Sequence, residues 1–251
     1  MSPRVRHVLF LSAGLVLAGL LAYGLSGLPG FGHYPGPYGQ LVTKLSVPER
    51  NATDVVTAVN LDFRGLDTMG EEFILFISVT AVAVLLRHQR QEVEESGEEE
   101  APGRTSPARD DGLLLFGVGL ASVVVVFGLY LVAHGQITPG GGFQGGAVLA
   151  SALLLLYLVA GYPVIKRLAP VGLLELGDGI GAAGFVVVGM AAVAAGGAFL
   201  ENFLPSGEEG LINSSGTMPV IYLFVGLEVA TGFSLVLVEF LEQLNVVKEE
   251  Q

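Results

Sequence analysis

The sequence predicts an all-α fold: a polytopic helical membrane protein of about six spanning helices, two plus four, joined by an acidic linker. Three observations predict it. Hydrophobic residues make up 51% of the chain and charged residues 14%, against about 25% charged in a soluble domain. The mean hydropathy is +0.64. Six apolar runs approach the length of about 20 helical residues that crosses a hydrocarbon core about 30 Å thick. They are too continuous to be the alternating segments of a membrane barrel, each roughly 10 residues long.

The first run covers roughly residues 8–28 and follows a basic start of Arg4, Arg6 and His7. Its apolar stretch exceeds the usual 7–15 or so residues of a signal peptide, and no A-x-A site follows, so it reads as a retained helix. Residues 29–67 read as a loop, opened by Pro29, Pro35 and Pro37. The second run, 73–86, is short and is expected to start near Thr68, with Glu71 and Glu72 at its polar end. Next comes a charged segment, read as a flexible linker over 91–111. Asp111-Gly112 precedes the third run, 113–133, and the fourth and fifth cover 143–161 and 171–200. Pro219 sits in the first turn of the sixth, 219–240, where its missing N–H costs nothing. The expected organisation is a two-helix unit (1–90), the linker, a four-helix unit (112–245) and a tail (246–251).

The net charge of -12 is uneven. Glu92, Glu94, Glu95, Glu98, Glu99, Glu100, Asp110 and Asp111 all fall in the linker. With a pI near 4.7 and no basic stripe, nucleic-acid binding is disfavoured. The chain has no Cys, which removes thiolate ligands and nucleophiles. With the N-terminus inside, nine Lys and Arg fall on the cytoplasmic side and three (Lys44, Arg50, Arg64) outside. By the positive-inside rule both termini are expected to be cytoplasmic.

Three motifs carry possible chemistry. The first is the run Thr138-Pro-Gly-Gly-Gly-Phe-Gln-Gly-Gly146 after His134. Gly140, Gly142 and Gly145 formally satisfy a dinucleotide fingerprint. That fingerprint needs a preceding strand and an acid about 20 residues on, whereas here an apolar run precedes and Lys166 and Arg167 follow. Pro139 ends the helix, and Gly140, Gly141 and Gly142 allow close backbone approach. Gly145 and Gly146 give the next span a flat face. The run is a tight inter-helix turn or lines an ion path. His134 beside it is an interface group or a proton relay.

The second motif is the set of charges around Asp62, Arg64, Asp67 and Glu71. Asp67 and Glu71 share a helix face and repel unless a cation or Arg64 neutralises them. The third is the set of acids inside apolar runs. Glu228 lies mid-span, where an ionisable residue is functional by default; the alternative is a neutral, hydrogen-bonded packing role. Glu175 and Asp178 read as groups at the membrane surface near Lys166 and Arg167. Gly177 and Gly181 form the small-xxx-small pattern of closely packed helices, read as facing other subunits as well. No metal-ligand spacing, Walker motif or hydrolase motif appears, and no cofactor is expected.

The run from Thr138 to Gly146 resembles the B subunit of Mrp-type multisubunit Na+/H+ antiporters, the MnhB-like family. The downstream run Gly216-Thr-Met-Pro-Val-Ile-Tyr-Leu-Phe-Val-Gly-Leu-Glu-Val229 looks like the version in related membrane-bound hydrogenase-type complexes. The run Asp62-Phe-Arg-Gly-Leu-Asp-Thr-Met-Gly-Glu71 resembles the C-terminal segment of the antiporter's large A subunit, a separate small subunit in the related hydrogenase-type complexes. Gln144 departs from the apolar residue expected at its position. The resemblance implies a non-enzymatic accessory subunit of a monovalent cation/proton antiporter in the cell membrane, partnered by complex I-like antiporter subunits and small subunits. It implies an ion-path role for Asp67 and Glu71, and an assembly role for Pro139, Gly142 and Phe143. The alternative is a subunit of the Mrp-like module of a redox-driven hydrogenase or respiratory complex.

Overall fold

The computed structural model describes residues 3–28, 30, 32, 36–95 and 111–246. Their order is α1 Pro3–Ser26, α2 Pro37–Arg50, α3 Val55–Ala58, a π-helical turn Val59–Phe63, α4 Gly65–Glu95, α5 Asp111–Ala133, α6 Gly142–Ala160, α7 Tyr162–Leu168, α8 Val171–Ala194 and α9 Met218–Val246. Among the described residues six helices are long and apolar enough to cross a membrane: His7–Ser26, Gly65–Leu86, Asp111–Ala133, Gly142–Ala160, Val171–Ala194 and Met218–Leu241. The protein is an all-α, multi-pass membrane protein.

The chain divides into two compact units, Met1–Leu41 and Val42–Gln251. In the first, the serine hydroxyls of α1 bond back to its own backbone. Ser12 donates to Leu9 O at 3.0 Å and Ser26 to Tyr23 O at 2.7 Å, so each hydroxyl is satisfied within the helix.

In the second unit α9 is the axis. Helices α4, α6 and α8 pack along it, and α5 packs on α6. Between helices in lipid no hydrophobic force remains, so association rests on close van der Waals packing at small residues. The glycines show where. Gly177, Gly181 and Gly184 of α8 face Thr231, Glu228 and Phe224, so α8 runs antiparallel to α9. Gly142 and Gly146 of α6 face Val225 and Val229, so α6 runs parallel to α9. Gly128 of α5 faces Leu149, and Gly145 of α6 faces Val132, which sets an antiparallel α5–α6 pair. The small-residue pattern at Gly177 and Gly181 is thus an intrachain contact with α9.

Three expectations change. The stretch 29–67 is not simply a loop: it holds α2, α3 and the π-helical turn. Ser46 donates to Ala52 O at 2.7 Å, and Asp54 caps α3 by accepting from Val56 N–H at 3.2 Å. The second span starts at Gly65, ahead of Thr68. The fifth span stops at Ala194, short of residue 200, because Gly196 turns the chain at φ +91 and Leu200 follows at φ +65. Asp111 lies inside the first turn of α5, where its charge favours the positive end of the helix dipole. Most of the acidic linker, 96–110, lies outside the described residues, as do 247–251 of the tail.

Candidate functional site

Three acidic side chains converge inside the bundle, one from each of three packed helices. Glu72 of α4 is 1% exposed, Asp178 of α8 2% and Glu228 of α9 0%. Helical periodicity puts them there. On α4, Thr68, Glu72, Val79 and Ala83 form one buried stripe against α9. On α8, Leu174, Gly177, Asp178, Gly181 and Phe185 form another. Glu228 enters where Gly181 removes a side chain: a Cβ on Gly181 would lie 2.6 Å from Glu228 N. Asp178 lies over Gly232, where an added Cβ would sit 2.8 Å from its Oδ1 and 3.2 Å from Val79.

The Glu72 and Glu228 carboxyls face one another, and both feel the charge of Asp178. Both carboxyl oxygens of Glu72, both of Glu228 and Oδ1 of Asp178 are buried without a hydrogen-bond partner. A buried charge is tolerated only when paired and hydrogen-bonded, and no Lys or Arg lies within any of the described spans. Among the described residues no three His, Asp or Glu side chains are placed to hold a metal ion.

The glycine turn forms a second constellation. The chain leaves α5, and Ile137 and Thr138 donate to His134 O at 2.9 Å. Gly141 N–H returns to Leu131 O at 2.9 Å and starts α6 at φ +121. Only glycine suits that φ, and a Cβ there would also strike the Tyr222 ring. Tyr222 is buried, and its hydroxyl meets that of Thr57. The Thr57 hydroxyl also lies beside the Gly135 carbonyl and 2.8 Å from Asp54 Oδ2. With a single proton it donates to one of these oxygens and accepts from Tyr222.

Further bonds clasp residues 51–57 to both neighbouring loops. Asp54 N–H donates to Gln136 O at 3.2 Å and the Thr53 hydroxyl to Ile137 O at 2.6 Å. Gln136 donates to Ile212 O at 2.7 Å, and Asn51 to Gly207 O at 2.8 Å. Thr57→Val keeps the volume but leaves Tyr222 without its partner. It is expected to destabilise by about 1–3 kcal/mol, the cost of an orphaned buried polar group, read as a lower melting temperature of the detergent-solubilised protein.

Of the residues singled out in the sequence, Glu228 lies at the carboxyl cluster, and Gly142, Gly145 and Gly146 lie at buried helix contacts. Pro139 is exposed; Gly140 abuts Leu131; Phe143 packs half-buried against the core. His134 stacks on Tyr130, ring centroids 4.2 Å apart. Asp67 and Glu71 are exposed. Asp67 is neutralised by Arg64, whose Nε donates to it at 2.6 Å. Asp178 is buried in the bundle, where it continues the glycine stripe of α8. Sequence reasoning missed Glu72 as an interior group; the spacing to Val79 and Ala83 was the signal that marks it.

Comparison with known proteins supplies the context. Residues 114–235 match the family described as a domain related to the MnhB subunit of Na+/H+ antiporter. An uncharacterized protein of Methanocaldococcus jannaschii is 30% identical over 203 residues, covering 71% of this chain and 73% of that one. The B subunit of the Na(+)/H(+) antiporter of Alkalihalophilus pseudofirmus is 46% identical over 48 residues, 19% of this chain and 33% of that one. A chain of the membrane-bound sulfane sulfur reductase, an archaeal respiratory membrane complex, superposes with a TM-score of 0.71 at 32% identity, covering 94% of this chain and 98% of that one. A chain of the Mrp complex from Dietzia sp. shares the fold, with a TM-score of 0.68 at 20% identity, over 95% of this chain and 26% of that one.

Proposed function

The chain belongs to the MnhB-related family, and from that premise we propose that it is an accessory membrane subunit of a multisubunit monovalent cation/proton antiporter, serving assembly and the ion path. It is not an enzyme in its own right. The observation that carries this reading is the family's glycine turn set against α9, one helix turn from buried acids that no basic group in the bundle neutralises. In lipid such acids persist where they serve ions or protons. The partners are complex I-like antiporter subunits and small subunits of the same complex. Both termini face the cytoplasm, in keeping with the distribution of Lys and Arg. The segment of residues 1–90, with its two spanning helices, corresponds to the segment of the large A subunit, and 112–245 to the smaller MnhB-like subunit.

Glu71 is exposed on α4, on the flank away from the α9 contact. A carboxylate on a span surface needs a polar neighbour, and a partner subunit supplies one. Glu71→Gln is expected to leave the complex assembled and to lower cation-dependent proton exchange several-fold in membrane vesicles. Unchanged rate and apparent cation affinity would remove Glu71 from the path.

A second reading is favoured by one observation: the archaeal respiratory complex has a chain matched over 98% of its length. Here the same subunit sits in the ion-translocating module of a redox-driven complex. Affinity purification from native membranes separates the two. Co-purification of antiporter subunits alone supports the first reading, and redox subunits with iron–sulfur absorbance support the second. Recovery of the chain without any partner would refute both.

A further inference from the structure

The carboxyls of Glu72, Asp178 and Glu228 lie buried together inside the bundle. We propose that these three residues form a proton-loading site inside this subunit, in which Glu72 and Glu228 pass a proton between them and Asp178 is the adjoining station. The proposal rests on the ion-path reading above and deepens it by naming the ion and the atoms.

Geometry carries it. Each side chain is almost wholly buried, and five of the six carboxyl oxygens lack a hydrogen-bond partner. Ordinary packing acids are satisfied by a donor; Glu72 and Glu228 instead come within hydrogen-bond reach of each other, and that bond forms once one of them holds a proton. The titratable and charged groups facing them are acidic: Glu72 feels Glu228, Glu71 and Asp178, and Glu228 feels Glu72 and Asp178. Lys166 and Arg167 of α7 are exposed, and α6, also packed on α9, carries no acidic or basic residue. Three neighbouring carboxyls with no cation cannot all be ionised, because like charges at close range repel strongly in an apolar setting. Protons supply the missing hydrogens one oxygen at a time. In the transfer step the O–H bond of one carboxyl breaks as an O–H bond forms on its neighbour. The negative charge moves the opposite way, and no other species is consumed.

The test uses the native complex in its membrane, treated with dicyclohexylcarbodiimide, an apolar reagent that modifies protonated carboxyls buried in lipid. Peptide mass spectrometry then locates the adduct. The expected result is labelling at Glu72 or Glu228 that fades as pH rises and that sodium does not prevent. In reconstituted vesicles, Glu72→Gln should lose the label at that residue and lower proton flux several-fold with assembly retained. If the variant fails to assemble, the wild-type labelling still decides. Absence of label on all three acids, with only carboxylate bands in the infrared spectrum, would overturn the proposal. Protection by sodium would overturn it in favour of a sodium site. A label independent of pH, with flux unchanged in Glu72→Gln, would reduce the cluster to neutral packing. Failure of the antiporter-subunit reading looks different: the chain would purify without antiporter partners while its labelling pattern stood.

Discussion

Gly142→Leu is expected to abolish recovery of the assembled complex. Gly142 opens α6 and lies on α9, where even a Cβ would come within 2.8 Å of Gly226 N, with the Val225 side chain also in the way. A flexible side chain can yield to such a contact, but the α9 backbone cannot. Overpacking costs about 1–3 kcal/mol where neighbours relax, and a leucine against backbone exceeds that range. Since about 1.4 kcal/mol is a factor of ten, native-gel recovery should fall at least about tenfold. The milder Gly142→Ala should fall between the two. Normal recovery of Gly142→Leu would show that α6 and α9 are not held together at this point.

The second large effect concerns Glu228, and it separates shape from charge. Glu228→Ala removes a wholly buried side chain beside Gly181 and leaves Glu72 facing a void. Large-to-small changes in a core cost about 2–5 kcal/mol, so the melting temperature of the solubilised protein should drop by several degrees. Glu228→Gln keeps the volume and removes only the ability to ionise. It should fold nearly as well as the native protein while losing proton exchange. Equal stability for both variants would mean that the packing around Glu228 is loose, and full activity in Glu228→Gln would free this residue from the ion path.

The sequence displayed the spans clearly because a bilayer demands long apolar runs and tolerates little else. It displayed the interior acids only in part. Glu228 stood out because it is flanked by apolar residues on both sides. Glu71 and Glu72 are adjacent, and successive helical residues point about 100° apart. The pairing of Asp67 with Glu71 drew attention to the exposed face, whereas Thr68, Val79 and Ala83 place Glu72 on the buried one. Asp178 was obscured by Lys166 and Arg167, which suggested the membrane surface. The contact between Thr57 and Tyr222 bridges 165 positions, and no local pattern records a pairing at that range. The helices within 37–63 were hidden by a Pro- and Gly-rich opening that reads as coil.

The attachment of α4 bears on how such a protein is encoded. This helix belongs to the same compact unit as α5 to α9, and it packs on α9 and α8. The residues just before its π-helical turn are bonded to the 134–138 turn and the 207–215 loop. These contacts join it to the rest independently of the acidic stretch that connects α4 to α5 in the chain. A chain divided within 96–110 is therefore expected to give two polypeptides that reassociate through these contacts, read as co-purification of the two from membranes; failure to co-purify would show that the covalent link is required.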